Sequence, residues 1–204
     1  SAYITNPYIV KRIQNGIVRD VGYGQNLNYE EIINQKPDVV MVYGVDSEIA
    51  GFVSKLHDLG IPAVINAEYL ESSPLGKAEW IKFVAAFFNK GLLADSLFSE
   101  TARRYKHLAE TASKATPRPG VMVGLPYREA WWVPGGKSYL ARLIADAGGD
   151  YVARENLSHE SFVISMEDAI TLTAHVDVWI HTGMVTQKSQ ILAADSRFGR
   201  FPLF

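Results

Sequence analysis

An α/β protein of two Rossmann-like lobes with parallel sheets, joined by one long α-helix, is what this chain of 204 residues predicts. Three observations point there. A helix-then-strand pattern occurs twice. Near the start it is Asn28-Tyr29-Glu30-Glu31-Ile32-Ile33, then Pro37-Asp38-Val39-Val40-Met41-Val42. Near the end it is Ser165-Met166-Glu167-Asp168-Ala169-Ile170, then Val176-Asp177-Val178-Trp179-Ile180. Each copy opens with a capping residue and acids in the first turn, where the helix dipole favours them. The strands are short continuous apolar runs, as in sheets buried on both faces. Between the two copies, residues 77–115 contain no proline and repeat apolar residues at helical spacing.

In order along the chain, Val18 to Tyr23 predicts a short strand ending at Gly22-Tyr23-Gly24. Asn28 caps a helix over 29–35, which Pro37 stops, and residues 39–42 form the next strand. Asp46 or Ser47 caps a helix carrying Ile49, Phe52, Val53 and Leu56 on one face. Leu59-Gly60 ends it, with Gly supplying the C-terminal turn, and residues 61–65 are a third strand. This βαβαβ order implies parallel pairing with right-handed crossovers.

Gly91 divides the proline-free stretch into two helices, the second over about 92–114 with Leu93, Leu97, Tyr105, Leu108 and Ala112. At 1.5 Å per residue the second is roughly 35 Å long. It is either an ordinary helix packed on one sheet or a strut between lobes. Thr116-Pro117-Arg118-Pro119-Gly120 ends it. Strands follow at 121–125 and 131–133, then a helix from Tyr139 to Ala147, capped by Ser138 and closed by Gly148-Gly149. Ser165 caps a helix to Thr173, 176–180 is a strand, and helix resumes at Thr186. The expected organisation is a first lobe over 1–90, incomplete at its start, an inter-lobe helix over 91–116, and a second lobe over 117–204, incomplete at its end. The apolar ending Phe201-Pro202-Leu203-Phe204 and the opening Ser1-Ala2-Tyr3 both suggest a trimmed chain.

Composition narrows the function. With 48% hydrophobic and 21% charged residues and a formal net charge of −2, the chain has no basic block to hold a nucleic acid. No apolar run approaches the ~20 residues of a membrane span. The chain has no Cys, which excludes disulfides and thiolate metal sites.

Val133-Pro134-Gly135-Gly136-Lys137-Ser138 resembles a phosphate loop, since Gly136-Lys137-Ser138 precedes a helix. The full motif needs Gly where Trp131 stands, and its nucleotide-binding partners are missing. An anionic group could still sit at that helix start. The histidines His57, His107, His159, His175 and His181 show no i, i+4 pair for metal. His57 and His107 belong on solvated helix faces. His181 follows a buried strand and could line a pocket, with a structural, hydrogen-bonded role as the plainer reading. No G-x-S-x-G elbow occurs.

Ligands of parallel α/β sheets sit beyond the C-terminal strand ends. Those ends carry Tyr23, Tyr43, Tyr69, Tyr127, Arg128, Trp131, Trp132 and His181. Any one aromatic there is more often core than contact. Together they describe an aromatic cleft with one Arg, suited to a flat or bulky, partly anionic ligand.

At this point the residues resemble the substrate-binding proteins of ABC importers for ferric siderophores, haem and vitamin B12. Asn28-x-Glu30-x-Ile32 with Pro37-Asp38-Val39-Val40 is similar to that family's first-lobe segment, and Leu59-Gly60-Ile61-Pro62 to its next strand entry. Glu79-Trp80-Ile81 and Ala102-Arg103-Arg104-Tyr105 look like the approach to its single inter-lobe helix. Pro134 to Ser138, with Asp146-Ala147-Gly148-Gly149, looks like the start of its second lobe. In the B12-binding member one glutamate per lobe docks onto permease arginines, and the match puts these at Glu30 and Glu167. Simple stabilisation of the helix dipole is the alternative role for both. Ligand-stacking aromatics match Tyr43 and Trp132, with Phe162 near a third. Gly24 stands where the family has a first-lobe aromatic, Tyr23 being one place off. A further strand and helix that open the family's first lobe, and strand–helix units that close its second, have no counterpart here.

The resemblance implies a binding protein without catalysis or resident cofactor. It would capture an iron complex (siderophore or haem) and deliver it to a permease, as a monomer outside the cytoplasm, periplasmic or anchored as a lipoprotein. Alternatives are cobalamin or another corrinoid as cargo, a metal chelatase-like enzyme on the same fold, and direct metal-ion binding.

Overall fold

Asn6-Pro7 starts a helix that the sequence reading passed over, with Ile9, Val10 and Ile13 at helical spacing. The Asn6 side chain accepts from the Tyr8 and Ile9 amides (3.0 and 3.4 Å). Pro7 brings no amide that needs a partner. Helix α1 (Pro7–Gln14) follows. The computed structural model describes residues 4–22, 26–44, 47–126, 130–183, 185 and 187–201. It divides into two units, Ser1–Ala67 and Glu68–Phe204.

In the first unit, α2 (Tyr29–Gln35) is capped by Asn28, which accepts the Glu31 amide at 3.0 Å, and ends on Lys36 with φ 47°. Strands β1 (Val40–Tyr43) and β2 (Ala63–Asn66) pair in parallel, Val40 opposite Ala63 and Tyr43 opposite Asn66. Helix α3 (Ser47–Asp58) crosses between them and ends before Gly60, whose φ is +73°. Ile32, Val42 and Leu56 form the buried core, flanked by Val21, Ile49, Phe52 and Val53.

Residues 18–22, expected as a strand, join no ladder. Val21 instead gives its carbonyl to the Asn28 amide (2.8 Å) and its side chain to the core. The strand β1 also departs from a run buried on both faces. Val42 is buried, while Met41 and Tyr43 are 40% and 58% exposed. A two-stranded sheet covered on one face has that alternation.

In the second unit, a 3-10 turn (Glu68–Leu70) leads to α4 (Pro74–Ala86), capped by the Ser73 hydroxyl. Helix α5 (Gly91–Ala112) packs on α4. Leu93, Leu97 and Leu108 have the expected helical spacing yet are 57%, 49% and 67% exposed, and only Ala94 of α5 is buried. Tyr105 of α5 donates to Asp146 (2.8 Å) of α6 (Tyr139–Asp146). Desolvation, then this bond, pushes the Tyr105 pKa up to about 12.

The central strand β3 (Gly120–Val123) lies between β5 (Asp150–Tyr151) and β7 (Val178–Ile180), all parallel. Its alternation feeds two cores. Val121 and Val123 pack with Ala141, Ile144 and Tyr151, and Met122 packs with Trp131, Val133, Val176 and Phe198. A separate antiparallel ribbon pairs β4 (Trp131–Pro134) with β6 (Ser161–Ile164), a strand the sequence reading did not place. Helix α7 (Met166–Leu172) follows β6, and α8 (Lys188–Ala194) runs into a 3-10 turn (Ser196–Arg200). Phe198 and Phe201, each 2% exposed, close the core.

Candidate functional site

Strand alternation decides which aromatics can meet a ligand. In the first unit, β1 turns Met41 and Tyr43 to the open face. Both border a groove of about 510 Å³ with Leu27, Tyr29, Ile49 and Phe52, at the C-terminal end of β1 and the start of α3. Tyr29 and Phe52 meet edge to face at 5.8 Å, and the Lys55 ammonium stands 3.5 Å from the Tyr29 ring centre. That cation–π contact steadies the groove wall. Tyr23 lies outside the described residues.

In the second unit the adjacent tryptophans part company. Trp131 is 1% exposed, stacks on Trp179 at 5.5 Å and donates its indole N–H to the Val123 carbonyl (3.3 Å). Its ring is therefore core. Trp132, opposite Val163 on the ribbon, is 60% exposed, and Val163 is 50% exposed. Phe162 lies opposite Val133, on the inward face, half-buried against both cores. The ribbon thus offers one flat surface indole beside Val163.

Tyr69 is half-buried in the turn before α4. His181 follows β7 exposed, with φ 55°, and Tyr127 and Arg128 lie outside the described residues. His57 and His107 are exposed on helices. No group of three or more His, Asp or Glu side chains able to hold a metal ion occurs among the described residues.

Glu30 and Glu167 hold equivalent places. Each is exposed at the second position of a seven-residue helix. In α2 the cap is made by Asn28. In α7 it is made by Ser165, whose hydroxyl accepts the Asp168 amide (3.0 Å), while Asp168 returns a bond from the Ser165 amide (3.2 Å). Neither glutamate side chain makes the cap. Glu167 also borders a recess of about 290 Å³ with Met166 and Arg197, the latter paired to Asp195 at 2.6 Å.

Sequence reasoning passed over Met41 and Tyr29 in the first groove and Val163 beside Trp132. The signal for Met41 was available in its two-residue spacing from Tyr43. Val163 becomes a neighbour only through the β4–β6 register.

Residues 8–202 match the model of a family described as Periplasmic binding protein. The uncharacterized lipoprotein MJ0878 of Methanocaldococcus jannaschii is 34% identical over 176 residues, covering 84% of this chain and 41% of the relative. The chain spans about half the length, or less, of the curated relatives it matches. Among solved structures, the periplasmic haem-binding protein HutB of Vibrio cholerae superposes with TM-score 0.69 at 19% identity, over 93% of this chain and 72% of HutB. The periplasmic vitamin B12-binding protein BtuF of the same organism gives TM-score 0.63 at 13% identity, over 96% and 72%. These two likenesses establish the α/β fold. No helix among the described residues is long and apolar enough to cross a membrane.

Proposed function

Because this chain belongs to the periplasmic binding protein family, we propose that it is the substrate-binding component of an ABC importer, taking an iron complex, either a siderophore or haem. The observation that carries the reading is Trp132, an indole 60% exposed on a two-stranded ribbon whose opposite face is core. Exposing a large aromatic on so well anchored an element favours stacking against a flat ligand. Tyr43 offers a second ring beside an apolar groove. The haem-binding and vitamin B12-binding proteins of similar fold fit the same ligand class, and a corrinoid is the alternative cargo.

Calorimetric titration with haemin, ferric siderophores and cobalamin tests this. One class is expected to saturate, with Trp132→Ala and Tyr43→Ala each weakening it about tenfold, or about 1.4 kcal/mol. Saturation by cobalamin alone would assign a corrinoid carrier. If all three fail with this chain and with a full-length version, the reading is wrong.

The same reading gives Glu30 and Glu167 to arginines of the permease. Neither caps its helix, so charge reversal costs only about 0.3–1 kcal/mol of dipole stabilisation each. Glu30→Arg with Glu167→Arg is expected to abolish transport into permease-containing vesicles while cargo affinity stays unchanged. Normal transport by that double variant would remove the docking role. The protein would work as a monomer outside the cytoplasm, anchored as a lipoprotein like the relative named above, and light scattering reads its state.

A further inference from the structure

The Gly135-Gly136-Lys137-Ser138 turn takes no part in the cargo surfaces. The structure gives it other surroundings. A Cβ on Gly136 would strike the carbonyl oxygens of Ala153, Arg154 and Asn156, and one on Gly135 those of Ser158 and Glu160. The Gly135 amide donates to Glu160 (3.0 Å) and the Lys137 amide to Ser158 (3.0 Å). Two glycines therefore let the turn lie flush on segment 153–160, so that Lys137 comes beside Arg154 and His159.

These side chains line a cleft of about 460 Å³ within the second unit, with Arg118, Arg142 and Asp150. Four fixed cations face one carboxylate. Arg142 is occupied by Asp146 (3.0 Å), and Arg154 by Asp150 and Glu155. Arg118 and Lys137 have no ion-pair partner among the described residues. An arginine fork and a lysine point charge left uncompensated at one cleft are the two groups that take phosphate oxygens.

We propose that this cleft is an anion site, separate from the cargo surfaces, which binds a phosphate-bearing group through Arg118 and Lys137. It does not depend on which cargo the protein carries. The group is either free in solution or the headgroup of an anionic lipid, and the test separates these. One arm titrates the chain with inorganic pyrophosphate by calorimetry. The other co-sediments it with vesicles of phosphatidylcholine, with and without phosphatidylglycerol.

Saturable binding in either arm, weakened at least tenfold by Arg118→Ala with Lys137→Ala and abolished by Lys137→Glu, supports the site and names its source. Lys106→Ala, an exposed position on α5 away from the cleft, should leave binding intact, and all variants should melt as the parent does. The proposal is overturned if neither probe binds, or if the double variant and Lys106→Ala behave alike.

Discussion

Replacing Trp131 with alanine should destabilise the second unit by about 3–5 kcal/mol, the range for emptying a large buried aromatic site. The ring is 1% exposed and touches three other aromatics, with centroids 5.5 Å from Trp179, 6.0 Å from Phe198 and 5.9 Å from Phe201. Its loss leaves a cavity that three rigid rings cannot refill by changing rotamer. It also strips the Val123 carbonyl of its indole donor. The next residue is the control. Trp132→Ala removes an equal side chain from an open strand face and should stay within about 0.5 kcal/mol of the parent. Urea unfolding followed by circular dichroism measures both. Equal costs at the two positions would contradict the strand register on which the cargo surface rests.

In the first unit the corresponding position is Leu56. Leu56→Ala should cost about 2–5 kcal/mol. This side chain is fully buried, and among the described residues Ile32 and Val42 share its buried cluster. In so small a buried core, one lost isobutyl group removes much of what α2, β1 and α3 have in common. Leu108→Ala, at a position 67% exposed, should be nearly silent. Hydrogen exchange would locate the damage: amides of α2, β1 and α3 should lose protection in Leu56→Ala, and unchanged protection there would refute the assignment of this core.

What the sequence made legible follows from the range of each signal. Asn28, Ser138 and Ser165 were readable as helix starts because a cap acts within three residues, and each accepts the amide three positions on. The central strand was readable because β3 is apolar on both faces, and both faces are buried. Signals that need a distant partner were not. Residues 161–164 are too few, and too near a loop, to reveal a strand before β4 is set against them. The same register decides that Trp131 turns in and Trp132 out, which two adjacent tryptophans cannot express. The leucines of α5 showed their helical spacing, but spacing does not say whether anything covers them. Helix α1 is a miss of another kind, since both the Asn6-Pro7 start and the helical spacing of Ile9, Val10 and Ile13 were in view. The cleft around Arg118 and Lys137 draws on four separate segments, and no window of sequence brings those together.

The stacked indoles of Trp131 and Trp179 also give the protein an optical property. Of its four tryptophans, these two lie in apolar surroundings and should emit on the short-wavelength side. Trp80 is half-buried with its N–H on Glu71 (3.1 Å), and Trp132, 60% exposed, should emit furthest to the red. A cargo that quenches by contact would erase the red shoulder and leave the blue component standing. Unfolding would move the blue component itself. For a cargo of that kind one emission spectrum separates occupancy from integrity, because two neighbouring residues in one strand face opposite ways.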